Sequence, residues 1–104
     1  MPSKGPEGPK VVVENVNVPG YTSPVDAAHY EAMKGILLKI LPRSAPGLTQ
    51  NEMIAEASKH ADRGLFPAAG KVSWWVKCVQ LDLEAKGVVV RDKRAKPLRW
   101  RRLR

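Results

Sequence analysis

Between Lys71 and Gly87, apolar residues occupy most of a helical circumference. At about 100° per residue, Val72, Trp75, Val76, Val79 and Leu83 fall on one side of KVSWWVKCVQLDLEAKG, and Trp74, Cys78, Leu81 and Ala85 on the adjoining one. The remainder is a narrow polar ribbon of Ser73, Lys77, Gln80 and Glu84. A helix apolar on two sides is packed from two sides, so it is expected at the centre of a small fold with only the ribbon showing. Gly87 reads as the C′ residue, since glycine enters the left-handed conformation without a Cβ penalty. Val88 to Arg91 then read as a strand, Asp92 to Lys96 as a turn and Pro97 to Arg102 as a returning strand. The period of two puts Leu98 and Trp100 on one face of that strand and Arg99 and Arg101 on the other.

Two helices precede this unit. Ser23-Pro24-Val25-Asp26 reads as a helix start, with Ser23 as N-cap, Pro24 at N1 and Asp26 closing a capping box. Val25, Ala28, Ala32, Met33, Ile36, Leu37 and Ile40 recur at three and four up to about Leu41, where Pro42 stops the helix. Leu48-Thr49-Gln50-Asn51-Glu52-Met53 is a second start: Thr49 caps, Glu52 returns the bond and Leu48 staples to Met53. That helix ends near His60 or Ala61. The connection ADRGLFPAAG is longer than a standard helix-turn-helix turn, and Leu65-Phe66 are expected to anchor it in the core.

Residues 1–22 read as a flexible N-terminal arm. Within it, residues 11–18 (VVVENVNV) are β-prone and either add an edge strand or pair with another chain. The expected fold is therefore mainly α with a small β-hairpin. It is a winged helix-turn-helix over residues 23–104, with three helices plus a wing and Lys71–Ala85 as the recognition helix.

Charge sharpens the functional reading. Of the net +8, residues 1–85 contribute nothing, with nine Lys/Arg against nine Asp/Glu, while residues 86–104 hold nine Lys/Arg against Asp92 alone. A concentrated cationic patch attracts polyanions, so double-stranded DNA is the expected partner. On the ribbon, Ser73, Lys77 and Gln80 are candidate base or phosphate contacts. In the wing, Arg91, Lys93, Arg94, Lys96, Arg99 and Arg101 are candidate phosphate or minor-groove contacts. The amides of Gln50 and Asn51 are offered to one more phosphate.

The remaining chemistry is sparse. Asp82 interrupts an apolar helical side and is expected to be a structural acceptor for Arg99 or Arg102. Trp74, Trp75 and Trp100 are expected in the core, and the single cysteine, Cys78, as a buried structural thiol. His29 and His60 lie on different helices, no Cys/His spacing resembles a zinc site, and no glycine-rich phosphate loop occurs. No catalytic group, metal, cofactor or small-molecule ligand is expected. The chain also lacks a membrane-length apolar run and a signal-peptide core, which leads to a cytoplasmic protein as the expectation.

The runs PGYTSPVDAAHYEAM, LP followed by PGLT, FPAAGKVSWWVKCVQLDLEAKGVVVR and KPLRW resemble a family of small, mostly bacterial proteins grouped as a domain of unknown function. The resemblance covers about Val11 to Arg102 and implies a winged helix, but no activity. More loosely, the order of elements is similar to the winged N-terminal domain of Mrr-type restriction proteins, which implies a DNA-reading module.

The reading is duplex DNA binding, as in a transcription regulator, through the central helix and basic wing. A homodimer is also expected, its contact supplied by Val11–Val18 or the first helix. The rival readings are a protein-interaction module on the same scaffold and RNA association through the basic C-terminal region.

Overall fold

The computed structural model of the chain describes residues 8–103. Its elements are β1 (Lys10–Glu14), β2 (Thr22–Asp26), α1 (Ala27–Ile40), β3 (Leu48–Thr49), α2 (Gln50–His60), α3 (Ala69–Ala85), β4 (Val89–Asp92) and β5 (Arg99–Arg102). Three helices thus combine with two small antiparallel sheets, β1-β2 and β3-β5-β4.

The first difference from the sequence reading lies at residues 10–26. Ser23 to Asp26 is strand, paired with β1 in the register Val11↔Val25 and Val13↔Ser23. Two facts let the hairpin win over the helix start. Val13 gains a nearly complete burial, at 4% exposed, and Pro24 loses nothing by lacking an N–H. The Glu14 N–H points away from β2 to Asp82, so by alternation Val12 does too, and Pro24 opposite it owes no ladder bond. Asp26, not Ser23, is the N-cap, accepting from the His29 N–H at 3.0 Å. From Lys10 onward the expected arm is therefore part of the fold, while residues 1–7 of that arm lie outside the described residues.

The helix α1 buries Tyr30, Met33 and Leu37 and ends against Leu41. In α2 the capping box forms as read. Thr49 Oγ1 accepts from the Glu52 N–H at 3.1 Å, and the Glu52 carboxylate from the Thr49 N–H at 2.9 Å; Met53 and Ala57 are fully buried. The connection to α3 turns on Asp62, whose carbonyl accepts from the amides of Leu65 and Phe66. Phe66 is buried beneath it.

One side of α3 packs as expected: Val72, Trp75, Val76, Val79 and Leu83 are buried. Its C-terminus closes with both bonds of a Schellman motif, Val88 N–H to Leu83 O at 2.9 Å and Gly87 N–H to Glu84 O at 3.1 Å, with Gly87 at φ 74°.

The adjoining apolar side is not packed from the second direction. Trp74 is 56% exposed, and Cys78 and Leu81 are only half-buried. Among the described residues, α1, α2, β1 and β4 cover one arc of the helix, and nothing is left to cover the other.

In the C-terminal sheet the short β3 pairs with β5 (Leu48↔Trp100) and β5 with β4 (Arg91↔Trp100, Val90↔Arg101). Trp100 and Val89 face the core, whereas Val90, Asp92, Arg99 and Arg101 share the outer face.

Candidate functional site

The outer face of the β4–β5 hairpin gathers the cations. Lys93, Arg94 and Lys96 in the turn are exposed, with Arg94 at 96%. Among the described residues its acidic partner is Asp92, which caps the turn by accepting from the Arg94 N–H at 3.0 Å and stands 3.9 Å from the guanidinium. Arg99 and Arg101 are half-buried and fixed at one end, Arg99 Nη1 to the Gly47 carbonyl at 2.9 Å and Arg101 Nη1 to the Arg43 carbonyl at 3.2 Å. Together with Arg91, Asp92, Arg94, Val90, Ala45 and Pro46 they line a cleft of about 250 Å³. An arginine held by one nitrogen presents the rest of its fork in a fixed direction, which suits a phosphate oxygen.

Arg91 borders the same cleft but is not a free cation. It lies on the core face, stacked 5.6 Å from the Trp100 ring centroid, and donates to Glu84 at 2.5 and 3.0 Å. The hydrogen bond to Glu84 raises the guanidinium pKa still further, so it is permanently charged and already neutralised.

Glu84 also accepts from Trp100 Nε1 at 2.9 Å and from Gln80 Nε2 at 3.3 Å. Gln80 is 1% exposed, so this predicted base contact is out of reach of any groove. The ribbon reading fails here because Gln80 is buried under the C-terminal sheet, its Nε2 donating to Glu84 and its Oε1 left without a partner among the described residues. Of the three predicted helix contacts, Lys77 is exposed and Ser73 half-buried. At the start of α2 the Glu52 carboxylate accepts from the Thr49 N–H and stands 3.3 Å from Arg99, which places a negative charge beside the Gln50 and Asn51 amides and disfavours a second anion there.

Asp82 is a structural acceptor as expected, but its partners differ. The carboxylate is fully buried and takes the Glu14 N–H (2.9 Å), the Tyr30 hydroxyl and the Lys86 ammonium (2.8 Å). Arg99 and Arg102 lie on β5, whereas Asp82 faces the N-terminal hairpin. Burial and the bond to Asp82 push the Tyr30 phenol above its usual range.

Near the start of α1, His29 bonds Asp26 through Nδ1 (2.6 Å) and the Leu65 carbonyl through Nε2 (2.8 Å), with its ring stacked on Trp75 at 5.2 Å. Both nitrogens are committed, so the pair ties the connector to α1. Among the described residues no three His, Cys, Asp or Glu side chains gather as a metal site, and no helix is long and apolar enough to cross a membrane.

Sequence reasoning missed a second surface. Between α3 and the β1–β2 hairpin runs a groove of about 510 Å³, lined by Glu14, Asn15, Tyr21, Ser73, Trp74, Lys77, Cys78 and Leu81. The available signal was the number of elements: three helices and short strands cannot cover a helix all round. Cys78, expected to be buried, lies half-exposed on its floor.

The model of the family of unknown function DUF6958 matches residues 10–100 of the chain. No curated protein and no solved structure matches it. The family description states neither fold nor activity, so the winged-helix and Mrr-type expectations draw nothing from it.

Proposed function

Since the chain belongs to this family of unknown function, we propose from its own residues that it binds duplex DNA along the phosphate backbone, with the β4–β5 hairpin as the leading contact. The observation that carries this is the placement of charge. The whole net +8 comes from residues 86–104, and Lys93, Arg94 and Lys96 project into solvent beside the outward Arg99 and Arg101. A winged-helix arrangement is part of the proposal. The order α1, β3, α2, α3, β4, β5 with the sheet order β3-β5-β4 supports it, the hairpin being the wing.

The helix contributes less than in a base-reading module. Lys77 and Ser73 are the available α3 contacts and Gln80 is withdrawn, so contacts to phosphate outweigh contacts to bases and sequence preference is weak.

The test is binding of a labelled duplex of roughly 30 base pairs across a salt series. Five neutralised phosphates give a slope of log affinity against log salt of roughly −4.5. Alanine at Lys93, Arg94, Lys96 and Arg101 removes most of that slope. Arg91 stays in place, because its loss leaves Glu84 buried without its cation. Absence of binding at low salt, or a slope near zero, overturns the proposal; preference for structured RNA over the duplex transfers the same cations to the RNA reading.

A further inference from the structure

The α3–hairpin groove asks for an occupant. Five of the large hydrophobic residues left exposed are Trp74 (56%), Tyr21 (50%), Val12 (58%), Val16 (37%) and Val18 (50%). Trp74 lies on α3, and the other four on or between the strands of the hairpin beside it. Of these, Trp74 and Tyr21 line the groove itself, together with Cys78 and Leu81, and aromatic residues grouped in this way are the composition of an interface centre, not of a solvated helix face. We propose that this groove is the contact of a two-fold homodimer.

Charge singles out a second copy among the occupants. One wall of the groove carries an acid, Glu14, and the other a base, Lys77. Among the described residues neither has an ion-pair partner. In a two-fold contact residue i meets residue j of the other copy and j meets i, so Glu14 faces Lys77 of the other protomer twice over while Trp74 enters the opposing groove. A surface that balances its own charges is what an isologous interface requires, and it is unexpected in a chain of net +8. An acidic partner protein is drawn instead to the β4–β5 hairpin, whose arginine-lined cleft shares no residue with this groove. The contact therefore leaves the β4–β5 hairpin of each protomer free but covers Ser73 and Lys77, so the dimer meets DNA through the hairpin alone. It takes in part of the Val11–Val18 segment expected from sequence, through Glu14 and Asn15, and joins α3 and Tyr21 to it, while the first helix takes no part.

The experiment is sedimentation equilibrium of the full chain from roughly 1 to 500 µM, spanning weak to moderate affinities. Wild type is expected to show a monomer–dimer equilibrium. Trp74→Glu, at an exposed position, is expected to remain folded by thermal melting and to stay monomeric. Lys77→Glu and Glu14→Lys are each expected to weaken the dimer at least about fivefold, because the symmetry repeats every like-charge contact. The double variant is expected to restore the wild-type constant. A monomer throughout the range, or a double variant as weak as the product of the single effects, overturns the proposal. The hairpin's DNA contact is tested separately at Lys93, Arg94, Lys96 and Arg101, none of which lines the groove, so failure of the dimer leaves that reading standing.

Discussion

Gly47 holds the joint between the two halves of the C-terminal sheet. Its φ is +83°, and a Cβ there would overlap the Trp100 carbonyl oxygen and lie 2.8 Å from the carbonyl carbon. Both objections are backbone ones, so no side chain can yield. Gly47→Ala is expected to cost more than about 2 kcal/mol in urea unfolding. Gly35, exposed in the middle of α1 with nothing within 4 Å of its would-be Cβ, is the contrast: Gly35→Ala is expected to raise stability by about 0.5–1 kcal/mol. Equal effects at the two sites would contradict this account. At this scale the sequence told roles better than partners. An acid interrupting an apolar helical side marked Asp82 as a structural acceptor, but nothing local marks Tyr30 or the Glu14 amide, which lie 52 and 68 residues away.

Elements whose signals are local were legible. Thr49 and Glu52 begin α2, and Gly87 ends α3, because the atoms that satisfy those ends are within a few residues. Elements decided by a distant neighbour were not. Ser23-Pro24 satisfied a helix-start pattern that pairing with β1 overrode, and periodicity could not say which of two apolar stripes of α3 would be covered. The start of α3 shows the opposite fault, an end left unfinished. Its N-cap is Ala68, which has no side-chain acceptor for the orphan amides. Ala68 is exposed and extended at φ −129°, ψ 147°, as N-cap residues are. Ala68→Asp is therefore expected to stabilise the protein by about 1 kcal/mol, seen as a higher urea midpoint at an unchanged slope. A midpoint that fell or stood still would show that the helix start is satisfied in another way.

Across the whole molecule, stability should depend on pH at both ends. Burial, with Asp82 adding, pushes the Cys78 thiol up to about 11, and the Tyr30 phenol is raised as well. Each group holds its proton more tightly when folded, so its contribution is complete below the unfolded value and lost as pH rises toward the folded one. Urea midpoints are expected to fall from about pH 9 upward, and the combination of Tyr30→Phe with Cys78→Ala to flatten that limb; an unchanged limb would refute the assignment. At the acid end, hydrogen bonds from His29 hold Asp26 below its usual range. That contribution is present at neutral pH and is lost as pH falls through and below the ordinary carboxylate range. The same long-range contacts govern the order of assembly. A ribosome delivers β1 first, yet the carboxylate that receives the Glu14 amide arrives 68 residues later. Until Asp82 has emerged, the valine-rich hairpin has no acceptor to lock onto and its exposed strand is open to wrong pairings. Productive folding of the hairpin is consequently postponed until α3 has been made.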